Sequence, residues 1–303
     1  MRVLIIGLGS IAQKHIKALR KIFSELDIYA LRSSVDAKPI DDVTNLFDLT
    51  EISSLNIDFA IISNPTSLHK EAIIKLIPYK IPLFIEKPVF DGLDVGCLLN
   101  DIRIHAIPTY VACNLRFLGC IKFVKDFIEN KRINEVNIYC GSYLPGWRPG
   151  VDFRKVYSAN KDMGGGVHID LIHEIDYMFW LFGKPSDTSS TKRSRSSLEI
   201  TAVDYTNYLF EYSDFCVNTI LNYYRRDAKR DMEILLEEGT INVDLLRNKV
   251  FFEGAEVFSS NETILDTYED QLRFFTEEVL KKQIEFNTIN EAVEILTLCI
   301  AKD

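Results

Sequence analysis

The stretch VLIIGLGSIAQKH at residues 3–15 limits the chain more than any other part of it. An apolar run suited to a fully buried strand leads straight into Gly7 and Gly9, and a helical pattern begins directly behind them. In such a strand–turn–helix the first glycine permits a tight turn and the second lets the backbone approach a pyrophosphate. The small Ala12 lets helix and strand pack closely. The N–H groups of the helix start, at Ser10 and Ile11, then favour phosphate together with the helix dipole. The expected ligand is a dinucleotide.

The pattern continues. Strand-like runs at Val3–Ile6, Ile28–Leu31, Phe59–Ser63, Leu83–Glu86 and Thr109–Ala112 alternate with helical stretches at Ile11–Ile22, Ser67–Ile77 and Gly92–Ile102. Near-continuous apolar strands separated by helices predict a parallel sheet covered on both faces. From Gly119 the rhythm changes. A helix at Ile121–Asn130 precedes a strand, a polar loop over Gly141–Gly166, another helix, and strand runs at Asp204–Tyr212, Phe215–Tyr224, Met232–Glu237, Thr240–Leu246 and Val250–Phe252. Turn residues between these last runs predict an antiparallel meander. Helices at Tyr268–Lys281 and Asn290–Ile300 close the chain. The fold class is α/β: an N-terminal Rossmann dinucleotide-binding domain over residues 1–118, then an α+β domain with a largely antiparallel open sheet over 119–303.

A net charge of −9 argues against a nucleic-acid partner, which calls for a basic face. The six cysteines show no CxxC spacing, so they read as reduced thiols and no metal site is expected. No run of 18 apolar residues occurs, which argues against a membrane span, and a cytoplasmic location is expected.

Enzymes using NAD place an acid at the end of the second strand for the ribose 2′-hydroxyl. Here "DIYALRSS" ends in Arg32, Ser33 and Ser34, an arrangement that suits a 2′-phosphate, and NADP is expected ahead of NAD. Asp36 comes too late unless the loop folds back. Further cofactor contacts are expected where parallel strands end: Ser63, Asn64, Pro65, Thr66 and His69 in "SNPTSLHKE", and Glu86 with Lys87 in "IEKP". Thr66 and Ser67 read at least as well as helix caps, and Lys87 taken alone reads as solvated surface.

"VHIDLIHEIDYMFW", residues 167–180, places histidines and acids in a stretch apolar enough to be core. On one helix at about 100° per residue, Asp170, His173, Glu174 and Tyr177 share a face opposite the apolar arc. Asp170 and His173, three apart, can hydrogen-bond, which would orient the imidazole for proton transfer. A solvated polar face fits the same spacing. His168 and Asp176 fall outside the arc and read as structural, Asp176 as a partly buried, paired acid. The preceding Gly164–Gly166 lets another chain segment or a ligand come close.

Together, "GLGSIAQKH", "NPTSLHKE", "EKP", "NLRF" (Asn114–Phe117), "GGGVHIDLIHEID" and "GTINVDL" resemble the glucose–fructose oxidoreductase / inositol dehydrogenase / MocA family over essentially the whole chain. The resemblance implies that Lys87 lies beside the nicotinamide, across a cis bond to Pro88, and that Asp170 and His173 face it from the second domain. It extends the expected cofactor contacts to Asn114, and it implies a homodimer or homotetramer built on the open sheet. One departure stands: the family commonly separates that Asp and His by four positions, and "DLIH" separates them by three.

The implied reaction is hydride transfer between nicotinamide and a hydroxyl or keto carbon, with His173 taking the proton, Lys87 stabilising negative charge on oxygen and Asp170 orienting the histidine. Trp147, Arg148, Arg154, Lys155, Tyr157 and Lys161 in the loop before the helix are basic and aromatic, and "YYRRDAKR" adds further cations. Rings stack on sugars and arginines suit carboxylate or phosphate. Arg116, Trp147, Arg148, Arg154, Tyr157 and Tyr177 are thus expected substrate contacts beside Lys87, Asp170 and His173. A sugar nucleotide, sugar acid or glycan precursor is the expected substrate. A non-catalytic NAD(P)-binding regulator, and a reductase of a non-sugar carbonyl or imine, are the competing readings.

Overall fold

The first apolar run forms strand β1 (Arg2–Ile6), in which Val3, Leu4 and Ile5 are fully buried. The chain is described from a computed structural model covering residues 1–36 and 38–300. Behind the glycine turn, helix α1 (Ser10–Ile22) buries Ala12, His15, Ile16, Ala18 and Leu19, one face of an amphipathic helix. Strands β2 (Asp27–Leu31), β3 (Val43–Leu46), β4 (Phe59–Ile62), β5 (Leu83–Glu86) and β6 (Thr109–Ala112) follow, with helices α2 (His69–Leu76) and α3 (Gly96–Ile104) among them. All six strands pair in parallel, in the order β3-β2-β1-β4-β5-β6. The order reverses between β1 and β4, and ligands of open parallel sheets bind outside the strand ends at such a point. Gly7 and Ser63 stand there. Strand β3, an edge strand of sequence VTNL, was not expected; it is too short and too polar to show a period.

The second part contains α4 (Gly119–Phe127), β7 (Ile133–Tyr143), α5 (Val167–Asp170), α6 (His173–Phe182) and seven further strands. These are β8 (Asp187–Arg193), β9 (Tyr205–Glu211), β10 (Cys216–Asn222), β11 (Tyr224–Leu236), β12 (Gly239–Asp244), β13 (Lys249–Phe252) and β14 (Ala255–Ser259). The sheet order is β14-β13-β12-β11-β7-β10-β9-β8; β10 and β7 run parallel and the other neighbours antiparallel. The α/β class and the largely antiparallel second sheet agree with the sequence reading. The two edge strands, β8 (DTSSTKR) and β14 (AEVFS), carry little apolar pattern and escaped it. The segment expected as one polar loop opens as the end of β7 and goes on through 3-10 turns at Leu144–Gly146, Phe153–Lys155, Tyr157–Ala159 and Lys161–Met163.

By their contacts, Met1–Asn114 and Leu265–Leu296 form one compact unit, and Leu115–Ile264 with the chain from Thr297 form another. The sequence reading had assigned the whole stretch after residue 118 to the second domain. The returning segment completes the first unit's core. Helix α7 (Thr267–Phe274) lies along α1, with Tyr268 edge-on to His15 at 5.6 Å and Glu269 3.3 Å from Lys21. Phe275 packs edge-on against Phe59 and Phe84, and Asn287 accepts a hydrogen bond from the Val111 amide. Helix α8 (Ile289–Ile300) ends the described chain. All six cysteines are free thiols, Cys97 and Cys216 exposed and the rest buried. Among the described residues no helix is long and apolar enough to cross a membrane.

Candidate active site

In the first unit, Gly7 holds a φ of +93°, and a Cβ there would stand 2.3 Å from the Asn64 amide nitrogen. Only glycine lets the turn after β1 meet the chain leaving β4. Ser63 closes this junction by donating its hydroxyl to the Gly7 carbonyl at 2.9 Å. Gly9 differs. A Cβ there would meet nothing within 4 Å, it caps α1 without a side-chain hydrogen bond, and no acid lies in the first turn. The helix start at Ser10 and Ile11 thus presents uncapped N–H groups, while Ala12 is fully buried against the sheet. Asn64 adds a buried side-chain oxygen with no hydrogen-bond partner among the described residues. An open glycine, an uncapped helix start and an unspent acceptor at the switch point fit the phosphates and polar groups of a dinucleotide.

Other expected cofactor contacts have different work. The N-cap positions here are Pro65 and Leu68, so Thr66 and Ser67 do not stand as caps. His69 is 1% exposed, its ring nitrogens 3.1 Å and 3.0 Å from the carbonyls of Val89 and Asn64. It ties the loop after β4 to the loop after β5 and is out of a ligand's reach. Burial lowers its pKa against the pull of those carbonyls. Glu86 is also turned inward: one carboxylate oxygen lies 2.5 Å from His15 Nε2 and the other accepts the Lys87 amide N–H at 3.2 Å. Asn114, 4% exposed, donates to Thr267 Oγ1 at 2.7 Å. Burial thus corrects the expected contacts of His69, Glu86 and Asn114. Lys87 is half-buried, and its bond to Pro88 is cis. At the end of β2, Arg32 donates to Asn45 on β3 at 3.3 Å, with Ser33 and Ser34 exposed beside it.

In the second unit, residues 167–180 do not form one helix. Helix α5 ends at Asp170, Leu171 takes φ −100° and ψ 31°, and α6 starts at His173. On a single helix Ile169 and Leu171 would stand roughly 200° apart. The break lets both be buried with Ile172 and Ile175. It also sorts the titratable groups. Glu174, Asp176 and Tyr177 are fully buried, whereas Asp170 and His173 are half-buried. Glu174 pairs with Arg230 Nε at 2.5 Å; Asp176 holds Arg116 through two bonds of 2.9 Å and 2.7 Å. Asp176 is paired as expected, but buried fully rather than in part. Arg116, 2% exposed, and Tyr177, whose phenol burial keeps protonated, are core groups, which corrects their assignment as substrate contacts.

Asp170 accepts a hydrogen bond from the Tyr223 hydroxyl. Burial, then the neighbouring Asp170 charge, raise the Tyr223 pKa well above its ordinary value, so this donor stays protonated. Ser158 and Tyr157 lie close enough to act on the same phenol. Trp147 stands edge-on to Tyr223, with centroids 5.4 Å apart, and is anchored by its indole N–H to Ser142 Oγ at 3.0 Å. Trp147, Tyr157 and Asp170 thus gather around Tyr223. The residue joining them, Tyr223, was missed because its stretch YYRRDAKR drew attention for its charges. Most of those are neutralised: Arg225 by Asp227, Lys229 by Asp231 and Arg230 by Glu174. Arg148 and Arg154 are exposed, the latter stacked on Phe153. The close approach allowed by the triple glycine is to the chain itself, since a Cβ on Gly165 would lie 2.0 Å from the Tyr157 carbonyl.

Similarity to known proteins follows this architecture. A 2,7-anhydro-N-acetylneuraminate hydratase from Mediterraneibacter gnavus is 26% identical over 47% of this chain and 38% of its own length. The chain thus matches less than half the length of that curated relative. A myo-inositol 2-dehydrogenase from Lactobacillus plantarum superposes with a TM-score of 0.80 at 20% identity, over 99% of this chain and 95% of the other. For a UDP-N-acetylglucosamine 3-dehydrogenase from Acidithiobacillus ferrooxidans the values are 0.77 and 15%, over 99% and 97%. Residues 1–95 match the model of the oxidoreductase family with an NAD-binding Rossmann fold, and residues 121–242 match the C-terminal domain of the same family. With both characteristic domains present in order, the chain belongs to the GFO/IDH/MocA oxidoreductase family.

Proposed function

We propose that this protein is an NAD(P)-dependent dehydrogenase or reductase acting on a hydroxyl or keto carbon of a sugar or anionic sugar derivative. The observation that supports it most is the sorting on the broken helix. Of its acids and histidines after Ile169, only Asp170 and His173 keep access to solvent, and Asp170 is already held by Tyr223. The Gly7–Ala12 turn would hold the pyrophosphate of the dinucleotide, whose nicotinamide would supply or accept hydride. His173 would take or return the hydroxyl proton, and the Lys87 ammonium would stabilise negative charge developing on a substrate oxygen. Asp170, with one oxygen fixed by Tyr223, orients a substrate hydroxyl or the histidine. Arg32 beside two exposed serines supports NADP ahead of NAD, with adenine-ribose recognition at the β2 end.

For the substrate, the exposed Arg148 and Arg154 next to Trp147 favour a carboxylate or phosphate on a sugar ring. The relatives' names point the same way: one acts on a sialic acid derivative and one on a sugar nucleotide. A homodimer or homotetramer through the open face of the second sheet completes the proposal, and light scattering tests it. The test of the activity is nicotinamide absorbance with UDP-N-acetylglucosamine, glucuronate and myo-inositol. Wild-type turnover is expected on an anionic compound, and Lys87→Ala and His173→Ala should each lose about 100-fold or more while still binding NADH. Unchanged turnover in either variant removes that residue's role. The relative named a hydratase supports a second reading at the same residues, net addition of water, marked by a product heavier by one water with no net change in absorbance.

A further inference from the structure

His15 is fully buried in helix α1, where an aliphatic side chain would pack as well. Its ring is fixed edge-on by Phe84 at 5.1 Å and Tyr268 at 5.6 Å. Nδ1 has no hydrogen-bond partner among the described residues, and Nε2 lies 2.5 Å from Glu86. A buried N–H without an acceptor is rarer than a bare lone pair, so the proton belongs on Nε2, which donates to the carboxylate. Glu86 is 7% exposed, and a carboxylate so buried is tolerated only when hydrogen-bonded. Among the described residues no other side chain hydrogen-bonds it; its second oxygen accepts the Lys87 amide.

We propose that His15, acting through Glu86, is a positioning residue for Lys87. The connection runs from the helix that opens at the phosphate turn, through an imidazole and a carboxylate, to the backbone that carries the ammonium. It sets where the amine stands relative to whatever the turn holds. Displacing a reacting group by about 1 Å costs on the order of 100-fold in rate. The inference rests on Lys87 being catalytic, as proposed above.

The test compares His15→Leu, which keeps apolar packing and loses the donor, with His15→Gln, which keeps a donor. Three quantities are read in the full-length protein: Lys87 amide hydrogen exchange, NADH affinity by nicotinamide fluorescence, and kcat and KM on the panel compound that wild type turns over. His15→Leu should exchange the Lys87 amide about tenfold faster and lower kcat by about 10- to 100-fold with KM held. NADH affinity should stay within about threefold, because the phosphate turn is untouched. His15→Gln should recover most of both losses. Wild-type exchange or wild-type kcat in His15→Leu overturns the proposal. Should His15→Leu not fold, Glu86→Gln takes its place, since it keeps the shape and weakens acceptance from both partners; unchanged exchange or kcat there overturns it equally. Lys87→Ala separates the two ideas. Lost turnover in Lys87→Ala beside normal His15→Leu removes only the positioning role, whereas full turnover in Lys87→Ala removes the catalytic reading while amide exchange still decides the His15 connection.

Discussion

Replacing Asp176 by asparagine strikes the most deeply buried ion pair beside the candidate site. The carboxylate is fully buried and Arg116 is 2% exposed, joined by bonds of 2.9 Å and 2.7 Å in the parallel geometry that suits guanidinium to carboxylate. Asparagine keeps the shape and one acceptor but takes the carboxylate charge away from a guanidinium that water cannot reach. Breaking one side of such a pair costs about 3–5 kcal/mol, against a total of about 5–15 kcal/mol for a typical domain. Asp176→Asn should therefore lose a large part of the second unit's stability. Tryptophan fluorescence in urea isolates that unit, because both tryptophans, Trp147 and Trp180, lie in it. Replacing both partners, Arg116→Met with Asp176→Leu, should recover most of the loss, since apolar groups of similar volume need no compensation. The same double variant should keep the wild-type KM, because Arg116 is a core residue. A loss under about 1 kcal/mol in Asp176→Asn, or a double variant as unstable as the single one, refutes the reasoning about the pair. A tenfold rise in KM in a stable double variant would return Arg116 to the substrate.

Two further outcomes follow from the second unit. Tyr223→Phe removes the hydrogen bond to Asp170 and should lower kcat/KM by about 10- to 100-fold, the worth of one charge-assisted bond of about 1.5–3 kcal/mol; combined with Asp170→Asn the losses should not add, and additive losses would separate the two residues. Burial, aided by Lys192, depresses the His168 pKa from 6.5 to about 4. The unfolded chain then binds more protons between those values, so stability is intact above pH 6.5 and falls as pH drops toward 4. The contribution is on the order of 3 kcal/mol, and a His168→Gln variant whose urea midpoint shows the same acid sensitivity in that window contradicts it.

The parallel sheet was legible because each strand is a short apolar run bounded by turn residues, and the phosphate turn because few residue types satisfy its geometry. Gly7 shows the limit of that legibility. The sequence gives it a tight turn; the coordinates add that its missing Cβ makes room for Asn64, a contact between positions distant in the chain. Strands β3, β8 and β14 were invisible for the complementary reason: at or near sheet edges, polar side chains face water, and pairing comes from the neighbour. The returning helix α7 was legible as a helix but not as part of the first unit, since nothing local in TYEDQLRF names α1 as its partner.

The broken helix carries the most instructive difference between pattern and structure. A uniform helix assigned four titratable residues to one face by angle alone, and two of them, Glu174 and Tyr177, turned out to be core. What decides is not angle but the presence of a distant counter-charge. Glu174 can be buried because β11 brings Arg230 to it, and Asp176 because the turn after β6 brings Arg116. Asp170 receives the Tyr223 phenol, a neutral donor that can orient a carboxylate. Two acids are thus placed in the core on arginines, while the third keeps access to solvent beside the Tyr223 hydroxyl. This retained access to solvent, more than the DxxH spacing, is what supports the proposed roles of Asp170 and its neighbour His173. The same reasoning turns Glu86, once its two partners are counted, from a ligand contact into a support for the lysine beside it.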